Sequence, residues 1–252
     1  MMRKSVPAWP LGHLLLIDGV LIASYVFLWL TGWLENIPSL DLGWGGSIQE
    51  YSTYLKWLGC SLMGLWLFGR SRELLYLSWA ALFLCFFVED AASLRDQAGA
   101  GIASVLGWGP TAGLTGQGLG EFASAVVGGI VLLGAVAFVH SSSDHREAKA
   151  LSRDLAPLLG GLIIFGIGVD TIHAMAGHLP TLDFALGVME EGGEIIIASM
   201  LTAAFYMHAF RARSDAANLP TAVHDAYLEV TNCGVVSVAS GGGAADLRTC
   251  VR

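Results

Sequence analysis

Apolar residues recur along this chain in runs of the length a helix needs to cross a bilayer. At a rise of 1.5 Å per residue, about 20 apolar residues span a hydrocarbon core about 30 Å thick. Six such runs stand out, at residues 11–34, 54–69, 74–94, 117–140, 155–178 and 183–210. The second is short and its limits are loose. The pattern predicts an all-α polytopic membrane protein with six transmembrane helices, arranged as three in-out-in hairpins. Residues 1–210 would form the transmembrane domain. Residues 211–252 read as a cytoplasmic tail, disordered or loosely attached, in which "AYLEVTNCGVVSVAS" has the composition of a strand without a visible partner.

Composition supports the same solvent. Of 252 residues, 54% are hydrophobic and 13% charged, and the mean hydropathy is +0.62. A water-soluble fold of this size would struggle to stay dispersed with that balance. The lipid bilayer is therefore the expected partner, in a bacterial inner (plasma) membrane, and no feature directs the chain to nucleic acid. Lysine and arginine set the orientation, because cytoplasmic loops retain them. Arg3, Lys4, Arg70, Arg72, Arg146, Lys149, Arg153, Arg211 and Arg213 fall at one set of ends, and Lys56 and Arg95 at the other. Both termini are accordingly expected in the cytoplasm. The first apolar run is too long for a secretory signal and lacks a small-residue cleavage site, so it reads as a retained anchor.

Between the runs, segment 35–53 is acidic and turn-rich, with Trp33, Trp44 and Trp57 where aromatic belts form. Segment 95–116 is rich in glycine yet not polar. It reads as a flexible outer loop on the headgroups, the alternative being that "GIASVLGWG" dips back as a cap over the bundle. "DHREAKALSRD" is expected to extend the fifth helix into the cytoplasm. No two of Cys60, Cys85, Cys233 and Cys250 have metal-ligand spacing, so four free thiols are expected.

The ionisable residues inside the runs are the candidates for chemistry. "VMEEGGEIIIA" (188–198) places Glu190, Glu191 and Glu194 within the sixth span. Counted from the outer end of each helix, Glu89, Asp90 and Glu121 lie about 6 Å deep, His173 about 8–9 Å, Glu190 and Glu191 about 10–12 Å, Asp170 about 13 Å and Glu194 about 16 Å, with His178 at the boundary. Such groups cost several kcal/mol each in hydrocarbon unless paired, protonated or wet. Asp170 and His173 are i, i+3, and Glu190 and Glu191 stand one turn before Glu194, so each helix can present its acids on one stripe. The shallow acids also suit solvated helix ends. His13, Asp18, His140 and His208 lie toward the inner side and form no part of this set.

Seven carboxylates against two histidines and Arg95 do not neutralise themselves. Either several hold protons or cations sit among them. Carboxylates with histidine from four helices form the ligand pattern of dinuclear iron or manganese sites. Soluble di-iron bundles carry Glu-x-x-His on two helices, whereas here "DTIH" is a single acid-x-x-His and "EGGE" an acid-x-x-acid, so the likeness is one of architecture. Glycines in the fifth and sixth spans would permit close helix approach.

The resulting expectation is a divalent metal ion, iron or manganese ahead of zinc, held by Asp170, His173, Glu191 and Glu194 with some of Glu190, Glu89, Asp90 and Glu121. The protein would then be a metal-dependent enzyme acting on a lipid-soluble or outer-face substrate. The same acids could instead serve a proton or divalent-cation transporter, a reading weakened by the few polar groups in the inner half. A third reading is an accessory subunit, or a homo-oligomer, whose acids meet a partner's basic groups. No P-loop, His-Glu-x-x-His, Gly-x-Ser-x-Gly or Cys-x-x-Cys-His motif is present.

Overall fold

The computed structural model describes residues 9–42, 45–111, 113–176 and 179–217. His178, Cys233, Cys250 and the strand-like stretch of the tail lie outside them. The chain divides into two compact units, Met1–Phe210 and Arg211–Arg252; of the second, residues 211–217 are described, as helix.

The described residues are helical and contain no strand. Eight α-helices follow in order: α1 (Trp9–Thr31), α2 (Ile48–Ser71), α3 (Leu74–Ala91), α4 (Leu94–Leu106), α5 (Gly116–Ser142), α6 (Arg146–Ile163), α7 (Asp170–Ala176) and α8 (Pro180–Ala217). A π-helical turn, Ile164–Val169, joins α6 to α7. Among the described residues, five segments are long and apolar enough to cross a membrane: Pro10–Thr31, Leu74–Ala91, Gly116–Ser142, Arg146–Ala176 and Pro180–Arg213. Outward-facing side chains such as Leu16, Leu30, Ile130, Val131 and Phe138 are exposed, as a hydrocarbon solvent allows.

Helix α2 differs from those five. Its 24 residues could span, but it carries Gln49, Glu50, Thr53, Lys56 and Ser61. The buried face of α2 contains four of these, Gln49, Thr53, Lys56 and Ser61, beside Trp57 and Cys60, so its polar stripe turns into the protein. The helix also begins earlier than its apolar run, because Ser47 and Glu50 form a capping box: the Ser47 hydroxyl accepts from the Glu50 N–H, and Glu50 reaches back to the N–H of Gly46. At its other end Arg72 adopts a left-handed conformation, φ 58°, and α3 starts at once. The two helices approach closely where Gly64 meets Ala80; a Cβ at Gly64 would stand 2.9 Å from that of Ala80.

An aromatic cluster fills the centre. Phe83 stacks on Trp57 and meets Phe205 edge-on, at centroid separations of 5.7 and 5.5 Å, which ties α2, α3 and α8 together. Near one end of α8, Phe184 stacks on Trp29 of α1 at 3.8 Å.

Segment 95–116, expected as a loop on the headgroups, contains a helix. "RDQAGAGIASVL" has enough alanine and few enough turn formers to wind α4 up to Gly107, whose φ of +65° ends it. α4 packs on α5 with almost no clearance: a Cβ at Gly120 would lie 2.2 Å from the carbonyl oxygen of Gly99. α6 begins at Arg146, so "DHREAKALSRD" does extend this span.

Candidate functional site

The polar side chains of the bundle lie along α8, in layers. The first is built on a two-turn spacing. Asp183 and Glu190 are i, i+7 on α8 and so share a face. His173 of α7 lies between them, its Nδ1 2.7 Å from Glu190 Oε2 and its Nε2 3.1 Å from Asp183 Oδ1. Gly187, midway, leaves room for the ring; a Cβ there would stand 3.3 Å from His173 Cε1. Asp170, one turn before His173, also lies against Glu190. A carboxylate only accepts, and a neutral imidazole donates from one nitrogen only. With both nitrogens on carboxylates, either the ring is doubly protonated or one carboxyl holds the proton. These two arrangements have the same total charge, so a proton can shift along Asp183–His173–Glu190 without altering it.

The second layer joins α8 to α2, α3 and α4. Gln49 Nε2 donates to Glu191 Oε2 at 3.0 Å and lies 3.5 Å from the Glu191 carbonyl oxygen. Trp57 Nε1 donates to Asp90 Oδ2 at 3.0 Å, and the Tyr54 hydroxyl reaches both the Asp90 carbonyl and Glu50. The Glu194 carboxylate rests on the bare Cα of Gly166, where a Cβ would be 2.4 Å from Oε1. Arg95, from α4, donates to the Gly166 carbonyl at 3.3 Å and stands 3.9 Å from Asp170. Burial works against the Arg95 charge, but Asp170, Glu194, Glu89 and Asp90 outweigh it and raise its pKa above the ordinary value. Glu121 accepts from Gln117 of its own helix at 2.7 Å. It faces Arg95 and Asp170 across a cavity of about 40 Å³, room for a water or two.

The third layer lies further along α8. Lys56 Nζ is 2.7 Å from Asp18 Oδ1, and the side chains are 5% and 0% exposed. Ser199 donates to Asp18 Oδ2 at 2.6 Å, and Lys56 also donates to the Ile195 carbonyl at 3.2 Å. Lys56 was expected at an outer helix end. Because α2 starts at Ile48, it stands about 12 Å into the helix, at the level of the middle of α1. Beyond this, Cys60 meets Thr202 at 3.5 Å, and His208 Nε2 lies 2.9 Å from Asp154 Oδ2.

No family model, curated protein or solved structure matches this chain.

The seven acids and one histidine proposed as metal ligands are thus distributed rather than convergent. His173, Glu190 and Asp170 come together, with Asp183. Glu191, Asp90 and Glu121 each take a separate donor, and Glu89 joins the others through the field of Arg95 alone. Among the described residues no three histidine, cysteine, aspartate or glutamate side chains are placed to hold a metal ion. Cys60 and Cys85 are free thiols.

Sequence reasoning missed Asp183, Glu50 and Gln49, and the pairing of Asp18 with Lys56. Two signals were available: the i, i+7 spacing of Asp183 and Glu190, and the opposite charges of Asp18 and Lys56 on neighbouring apolar helices, which favour pairing.

Proposed function

We propose that this chain is an integral membrane protein that crosses six times, with both termini on the cytoplasmic side, and transfers protons along α8. The observation that carries this reading is the file of polar groups on that helix. Asp183, Glu190, Glu194 and His208 share one face, Ser199 and Thr202 stand on another, and together they cover 25 residues, about 37 Å of helix, which exceeds the thickness of the hydrocarbon core. The scarcity of polar groups in the inner half had counted against transport. Lys56 and Ser199 join Asp18 in that half.

A proton arriving at Asp183 passes to His173 Nε2, and the ring releases the proton on Nδ1 to Glu190. Glu194 stands one turn further along, about 6 Å in rise, and receives it next. Asp18 comes next, held by Lys56 and Ser199. It accepts a proton only when the Lys56 contact loosens, so the ion pair acts as the barrier that keeps the path from leaking. Arg95 holds the outer acids together without supplying a proton.

The test is proton uptake into liposomes containing the full chain, driven by a potassium diffusion potential and read with an internal pH dye. Uptake above that of empty liposomes, lost in Asp18→Asn and in Glu194→Gln, is the expected result. Uptake equal to empty liposomes, or unaltered in both variants, would sink the reading.

A further inference from the structure

Gln49 is 4% exposed, and its amide is half satisfied. Nε2 is engaged by Glu191, while Oε1 is buried without a hydrogen-bond partner among the described residues. Reversing the amide does not cure this, since Oε1 would then face the Glu191 carboxylate and carbonyl, both acceptors. Glu190 and Glu50 add negative field at Glu191, with Arg95 as the opposing charge. A buried acceptor of this kind is normally satisfied, and the carboxylate that its amide meets is itself flanked by Glu190 and Glu50.

We propose that Gln49 Oε1 and the Glu191 carboxylate bind a hard monovalent cation of the sodium class, at the junction of α2 and α8. Oxygen ligands suit a hard cation. One carboxylate with neutral amide oxygen matches a single positive charge, whereas a divalent ion would draw on several carboxylates, and among the described residues no such group of three is assembled. Glu190 and Glu194 flank Glu191 on the same helix, so a cation bound here competes with protons for one field. Its role as a coupling ion rests on the proton-transfer reading above, but its binding does not.

The experiment is equilibrium binding of radioactive sodium to the purified full-length protein in a choline chloride background, with potassium as competitor. Saturable binding is expected, weakened about tenfold or more in Gln49→Leu, which removes a charge-assisted contact. Glu191→Gln serves where Gln49→Leu fails to fold, because its new amide can donate to Gln49 Oε1 and satisfy the orphan. That variant is expected to be stable without sodium and to retain none. Absent binding in the wild-type protein, as a bridging water alone would give, overturns the proposal, and so does binding that survives Glu191→Gln. Proton uptake measured in choline medium fails or succeeds independently, which separates this proposal from the function it would serve.

Discussion

Lys56 Nζ and Asp18 Oδ1 lie 2.7 Å apart inside the bundle, and Ser199 completes the carboxylate from α8. Two charges removed from water lose their hydration, and the pair persists because each supplies what the other lost. Removing one partner leaves the other buried and unpaired, at a cost of about 3–5 kcal/mol. Asp18→Asn and Lys56→Met are each expected to lower thermal stability in detergent substantially. The double variant, with no buried charge, should recover much of it, and a double-mutant cycle by denaturant unfolding measures the coupling. Simple additivity of the two losses would show that the pair does not function as a unit.

The outer relay makes a different prediction. Asp183→Asn keeps the size of the side chain but removes an acceptor that can hold a proton, and His173→Ala removes the link itself. Proton uptake should fall in both, for His173→Ala on the order of a hundredfold, the scale on which positioned proton-transfer groups act. Glu121→Gln is the control, because Glu121 bonds within α5 to Gln117 and stands off the α8 file. Uptake lost equally in all three variants would argue for general damage to the outer layer.

What the amino-acid order revealed, and what it hid, follows from helix geometry. Residue spacing along a span gives an expected depth, which assigns the acids of the third to sixth spans to the same half of the membrane. It does not give the rotation of one helix against the next, and that rotation decides partners: Glu191 meets Gln49 of α2, whereas Glu190, its neighbour, meets His173 of α7. Apolar run length located the long apolar helices but misjudged α2, because a polar stripe facing protein lowers hydropathy as a loop would. Lys56 was therefore put at an end. Asp183 was passed over because it sits where the sixth run begins, although its i, i+7 relation to Glu190 was legible.

Close contact between α4 and α5 supports the position of Arg95. Gly120→Ala would set a Cβ 2.2 Å from the Gly99 carbonyl, and backbone cannot yield as a flexible side chain can. α4 should lift from α5, carrying Arg95 away from Gly166 and Asp170. Faster amide hydrogen exchange across 94–106, with α2 and α3 unaffected, is the expected result. Gly101→Ala, on the same helix with nothing within 4 Å, should leave exchange unchanged.

Gly166 and Gly168 give the sharpest comparison, since they lie two residues apart in one π-helical turn. At Gly166 a Cβ meets Glu194 Oε1 at 2.4 Å, and at Gly168 it meets nothing within 4 Å. Gly166→Ala must therefore push the Glu194 carboxylate aside or widen the turn, a strain of about 1–3 kcal/mol by analogy with overpacked cores. Either response moves Glu194 relative to Glu190 and to Arg95, which bonds the Gly166 carbonyl. The expected outcome is a lower melting temperature together with reduced proton uptake, while Gly168→Ala keeps both near wild type. If Gly166→Ala loses stability but retains full uptake, the seat of Glu194 is a packing feature and the carboxylate lies off the path.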